Sequence, residues 1–129
     1  MAVWRRKALE QWPELRDTLQ EPWSSPSDVF ELLVPRAHEA FEDGDEVTLA
    51  PILDYAAWCL QQRAEDLWTS AGFNFYDPLL AGHGWHLRRR ILARLEDDVI
   101  RRVWGVWPLS MSEEQIAELK RLVPIELPS

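Results

Sequence analysis

The nine residues Ile52 to Leu60, ILDYAAWCL, carry a single charge, Asp54. A run this short cannot cross a bilayer, which takes about 20 apolar residues, so Asp45 to Arg63 reads as the buried central helix of a soluble protein. A turn of about 100° per residue puts Leu49, Ile52, Leu53, Ala56 and Leu60 on one face, with Asp54, Gln61 and Glu65 opposite. Trp58 falls on the polar side, one turn after Asp54, where an indole needs something to pack on. Cys59 has no second cysteine to pair with and lies beside the core stripe, so it reads as a small buried hydrophobe.

The chain before this helix divides by its prolines. Trp4, Ala8, Trp12, Leu15 and Leu19 share one helical face, but Pro13 predicts a break near Trp12 and a second short helix from Pro13. The stretch Glu21 to Ser27, EPWSSPS, has two prolines and three serines without periodicity and is expected to be a loop. Ser25 or Ser27 can cap the helix that follows, with Asp28 favourable at the positive end of its dipole. Phe30, Leu33, Val34, Ala37, Ala40 and Phe41 form its inner stripe. Glu31, His38, Glu39 and Glu42 point outward, and Pro35 on that outer face predicts a kink. Gly44 is the expected stop, and Asp45 or Thr48 the next N-cap; a start at Thr48 would put Pro51 in the first turn. So short a connection predicts an antiparallel helical hairpin.

Beyond Arg63 the apolar spacing changes phase. Leu67, Trp68, Ala71, Phe75 and Leu79 predict a helix from about Glu65 to Asp77, ended by Pro78. From Trp85 onward Leu87, Ile91, Leu95, Val99, Val103 and Val106 hold an inner face, with Arg90, Arg94, Asp97 and Arg101 opposite. Glu96-Asp97-Asp98 could equally open a new helix after Leu95. Ser112 to Gln115 has the capping-box form, so a last helix starts near Ser112, buries Ile116, Leu119 and Leu122, and ends before Pro124. No segment alternates with a period of two. The expected fold is therefore all-α, a single domain over residues 1–129 forming a compact bundle of five to seven helices with antiparallel hairpins. A chain of 129 residues suffices for one core, burying roughly two thirds of the surface its unfolded form exposes.

Charge narrows the function. The net charge is −8, from 22 acids and 14 bases, which opposes non-specific contact with a phosphate backbone. Between Arg36 and Arg63 there is no lysine or arginine, whereas Glu39, Glu42, Asp43, Asp45, Glu46 and Asp54 are acidic. Arg88, Arg89, Arg90, Arg94, Arg101 and Arg102 crowd a later segment, where pairing with the acidic hairpin or solvation competes with any role on nucleic acid. The N-terminal MAVWRRKALEQW lacks an uninterrupted apolar core and a small-residue cleavage site. Neither a secretory signal nor a membrane anchor is expected from it, and the cytoplasm is the default location.

Catalytic motifs are missing: no GxSxG, P-loop, GxGxxG or HExxH occurs. Thr69 and Ser70 have no base spaced to activate them, and His38, four residues before Glu42, reads as a solvated side chain. Asp77, His83 and His86 outline a metal site, but two histidines fall short of the three protein ligands a zinc centre usually needs. No catalytic residue, cofactor or bound metal is assigned. Of the eight tryptophans, Trp4, Trp12 and Trp68 fall on inner stripes and Trp85 borders one. Trp23, Trp104 and Trp107 lie near element ends, which leaves Trp58 as the candidate interface residue.

The run HEAFEDGDEVTLAPILDYAAWCL, the later FNFYDPLL and the closing WPLSMSEEQIAELKRL resemble a group of small all-helical bacterial proteins of uncharacterised function, some of them described as immunity-like. The likeness spans roughly His38 to Leu122 and rests on the acidic turn Glu42 to Glu46, the apolar central helix and the Phe75-Tyr76 pair. Pro78 and Gly82-His83-Gly84 depart from that pattern. The resemblance implies an immunity-like or antitoxin-like interaction protein and supplies no functional residues. Joined with the charge pattern, it leads to the expectation that Glu39, Glu42, Asp43, Asp45, Glu46, Asp54 and Trp58 engage a basic protein partner. The alternatives are a metal-dependent hydrolase built on Asp77, His83 and His86, an uncharacterised structural protein, and nucleic-acid binding through Arg88 to Arg102. The last predicts affinity falling steeply with salt.

Overall fold

The computed structural model describes residues 2–20, 23–81, 84–104 and 111–123. Helix α1 (Val3–Gln11) stops where Pro13 requires it, since Trp12 leaves the helical region at φ −130° and ψ 76°. Pro13–Leu15 forms a tight 3₁₀ turn that runs into α2 (Arg16–Leu19). Trp4, Ala8, Trp12, Leu15 and Leu19 are all buried, as their shared face predicts.

Helix α3 (Pro26–Asp43) begins with Ser25 as cap, whose backbone N–H donates to the Asp28 carboxylate at 2.7 Å. Pro26 follows at the position where a missing N–H is harmless. Its inner stripe is buried together with Val29, with Val34 half-covered, and Pro35 lies on the exposed side. His38 corrects the sequence reading. It is half-buried rather than solvated, and because a carbonyl can only accept, its Nε2–H donates to the Leu79 carbonyl at 3.1 Å.

Gly44 ends α3 in the left-handed region at φ 67°, and the Asp45 N–H returns to the Ala40 carbonyl at 2.9 Å. Helix α4 (Glu46–Leu60) starts at once. Asp45 is its cap, accepting from the Thr48 N–H at 3.1 Å and the Thr48 hydroxyl at 2.6 Å. Pro51 thus stands inside α4 and not in its first turn. The carbonyl it deprives of a helical donor is that of Val47, a residue on the outer side of α4 that is 88% exposed. Leu49, Ile52, Leu53, Ala56 and Leu60 are buried as expected, and Tyr55 and Cys59 join them.

The next helical run goes further than Pro78 predicts. α5 (Glu65–Ser70) widens into a π-helical segment, Ala71–Tyr76, and continues as α6 (Asp77–Leu80). The Asp77 N–H bonds to the Gly72 carbonyl, five residues back, and this wider turn loosens the ladder just where the Pro78 ring would crowd it. The same insertion resets the buried face: Ser70 turns inward, while Trp68, expected in the core, is 41% exposed.

Helices α7 (Trp85–Arg94) and α8 (Asp97–Val103) are separate, broken by extended backbone at Leu95 and Glu96. Asp97 and Asp98 then occupy the first turn of α8, the alternative the acidic triplet allowed. α9 (Glu113–Leu122) carries the predicted capping box, with the Ser112 N–H on Gln115 Oε1 at 2.9 Å and the Gln115 N–H on Ser112 Oγ at 3.2 Å. Leu119 is fully buried, and Ile116 and Leu122 half-buried. Val106, Trp107 and Pro124, like His83, lie outside the described residues.

The fold is all-α, with no strand among the described residues. α3 packs against α4, α5, the π-helical segment, α6 and α7, while α1 lies on α3 and α4. These elements meet in an aromatic cluster. Phe30 contacts Tyr55 and Phe75 at centroid distances of 5.8 and 5.5 Å, and Trp12 stands edge-on to Tyr55 at 5.5 Å. Burying each such side chain contributes about 1.5–3 kcal/mol, so the cluster is a principal tie between α1, α3, α4 and the π-helical segment. No helix of the described residues is long and apolar enough to cross a membrane.

Candidate functional site

Because α3 ends and α4 begins around Gly44, the carboxylates of Glu39, Glu42, Asp43, Asp45 and Glu46 gather on one exposed corner. They are not equivalent. Asp45 is engaged by Thr48, whose hydroxyl first and backbone N–H second hold its carboxyl below the usual aspartate value. Glu46 receives Arg94 of α7: Nε donates to Oε1 at 2.8 Å, and Nη2 closes on the same oxygen. That hydrogen bond lowers the Glu46 pKa and raises that of Arg94.

Arg90, one turn earlier on α7, donates from Nη1 to the Glu42 carbonyl at 3.5 Å. Its guanidinium therefore sits at the C-terminal, negative end of α3, where a cation is favoured. Arg36 pairs with Glu14 at 2.9 Å. Among the described residues, Glu39, Glu42 and Asp43 remain as exposed carboxylates with no side-chain ion pair. Arg36, Glu39, Asp43, Asp45 and Thr48 also line a depression of about 210 Å³.

Asp54 and Trp58 belong to a different place. They line a groove of about 300 Å³ between α1 and α4, whose other wall carries Lys7 and Glu10. Trp58 is half-buried and stacks on Tyr55 at 6.4 Å with an interplanar angle of 28°. Tyr55 is itself anchored, its hydroxyl donating to the Trp4 carbonyl at 3.0 Å. The indole is therefore a fixed wall. The Lys7 ammonium stands 5.0 Å from its centroid, a cation–π contact worth about 0.5–1 kcal/mol at an exposed site. Nothing in the sequence marks Lys7 or Glu10 as neighbours of Trp58, since the pairing depends on how α1 lies across α4.

Arg88 was also illegible from the pattern of arginines. It is 4% exposed, donates from Nε to the Leu80 carbonyl at 3.0 Å, and packs over the Trp85 ring at 4.5 Å. Desolvation lowers its pKa. It ties α7 to the end of α6 and is withdrawn from any phosphate-facing surface, whereas Arg89, Arg101 and Arg102 are exposed.

For the hydrolytic alternative, His86 is exposed and Asp77 half-buried, while His83 is outside the described residues. Among the described residues no cluster of three histidine, cysteine, aspartate or glutamate side chains is placed to hold a metal. The Thr69 hydroxyl donates to the Glu65 carbonyl. Ser70 lies 3.2 Å from the Ser27 hydroxyl, which accepts from Asn74 Nδ2 at 2.9 Å, so both hydroxyls serve the helix and its packing. The Cys59 thiol is fully buried, and burial pushes its pKa up to about 12, far from a reactive thiolate.

No protein-family model, no curated protein and no solved structure matches this chain.

Proposed function

We propose that this chain is a non-enzymatic interaction protein that docks a basic protein partner on the corner between α3 and α4, read as an antiparallel hairpin. An immunity-like or antitoxin-like role in the cytoplasm is the form of this reading that agrees with the resemblance over residues 38–122. The observation that supports it most is the set Glu39, Glu42 and Asp43, exposed and without a side-chain ion pair among the described residues.

Glu46 and Asp45 contribute less than the charge count implies, because Arg94 and Thr48 already occupy their oxygens. The docking acids reduce to Glu39, Glu42 and Asp43. Such a patch speeds encounter with a cationic surface and confers a salt-sensitive on-rate.

The test compares the wild-type chain with the triple variant Glu39→Lys, Glu42→Lys, Asp43→Lys, after circular dichroism shows the helices retained. The wild type should recover a basic partner whose association weakens with added salt, and the reversed variant should lose it. Equal recovery by both forms, or an acidic partner, would sink the reading.

A further inference from the structure

We infer that the groove between α1 and α4 is a slot for a lysine or arginine side chain, and that Lys7 is its resident internal occupant, displaced when a partner's cation enters. The inference rests on the basic-partner reading and specifies where one of that partner's side chains inserts.

Four observations converge on it. The groove has room for a side chain, at about 300 Å³, and is lined by an indole together with the carboxyl-bearing Asp54 and Glu10. This combination of a π face and anionic rim suits an ammonium or guanidinium, because the ring quadrupole and the carboxylates attract the same charge. The indole is preorganised by its stack on Tyr55, which the hydrogen bond to Trp4 holds in place. Finally, an ammonium is already there: Lys7 Nζ lies 5.0 Å from the Trp58 centroid and, among the described residues, makes no salt bridge. An exposed lysine with a ring-face contact and no salt bridge among the described residues is a displaceable occupant, unlike Arg94, whose guanidinium is bonded to Glu46.

The groove also runs along α4 away from the α3–α4 corner. A basic partner long enough to reach from Glu39, Glu42 and Asp43 to Asp54 and Trp58 would meet a second point of attachment, on α1 and α4, that recognises shape and charge where the corner recognises charge alone.

The probe is n-butylammonium, with n-butanol as the neutral control, titrated into ¹⁵N-labelled protein while the Trp58 indole N–H resonance is followed. Wild-type protein should show saturable shifts with the cation and none with the alcohol. Lys7→Met should tighten binding about two- to fivefold, the loss of a competitor worth one exposed cation–π contact. Arg6→Met, which removes the same charge from the neighbouring exposed position, should not, and Asp54→Asn should weaken binding. Unsaturable shifts, equal response to the alcohol, or the same gain from Arg6→Met as from Lys7→Met would each overturn the slot. The corner is tested separately by reversal at Glu39, Glu42 and Asp43, so loss of the slot leaves that reading standing, and an indifferent corner leaves the butylammonium result intact.

Discussion

Arg94 reaches from α7 to Glu46, 48 residues earlier in the chain, and places both Nε and Nη2 on one carboxylate oxygen of the first residue of α4. The pair clamps the start of the central helix to a segment that the chain reaches only after three further helical elements. It also leaves a pH signature. Glu46 has a folded-state pKa below its ordinary 4.5, so its stabilising contribution is complete above that value and is lost as pH falls through the depressed one. Arg94→Met should leave the melting temperature at pH 7 only slightly lower, as for other exposed pairs, and should flatten its decline between about pH 5 and pH 3. Thermal melts across that range check both.

Gly44 makes the turn that sets the acidic corner. At φ 67° an L side chain is strained even though the nearest atom to a Cβ there, Arg90 Nη2, is at an ordinary 4.0 Å. Gly44→Ala should cost about 1–2 kcal/mol through backbone strain alone. Urea unfolding should show a lower midpoint with an unchanged slope.

Tyr55 links α4 to α1 through its hydroxyl on the Trp4 carbonyl. Tyr55→Phe removes one hydrogen bond from a carbonyl that α1 already uses in its own ladder and should cost about 0.5–1.5 kcal/mol, whereas Phe75→Ala in the same cluster should cost about 3–5 kcal/mol by opening a cavity. Because Tyr55 also backs Trp58, its loss should loosen the indole. Near-ultraviolet circular dichroism should then change more for Tyr55→Phe than its stability loss alone would produce.

Cys59 is 0% exposed with its thiol pushed up to about 12 by burial. At pH 8 a thiol reagent should leave the native protein unmodified on the timescale that labels the urea-unfolded chain completely. A fast native reaction, followed by absorbance, would show the core open at α4.

Much of the helical order was readable because caps, breaks and stripes are local. Pro13 interrupts the first helix, Gly44 ends the third and Ser112 caps the last, each by backbone chemistry confined to about one turn. The core face of α4 followed from spacing alone. Pro78 misled because the π-helical turn at Ala71–Tyr76 absorbs it, and that same turn moved Trp68 out to solvent and Ser70 in. No residue spacing announces a one-residue widening of a helix.

What the sequence determined by itself was an all-helical chain, a buried central helix, and an acidic stretch without lysine or arginine. Periodicity and composition are properties of neighbours in the chain, and the helix carries them directly into faces. Only the tertiary structure decided which carboxylates keep their charge for solvent, that Glu46 meets Arg94, that Arg90 bonds the Glu42 backbone carbonyl, that His38 bonds Leu79, and that Lys7 covers Trp58. Those pairings depend on which surfaces cover one another, and that is settled by the packing of helices distant in sequence.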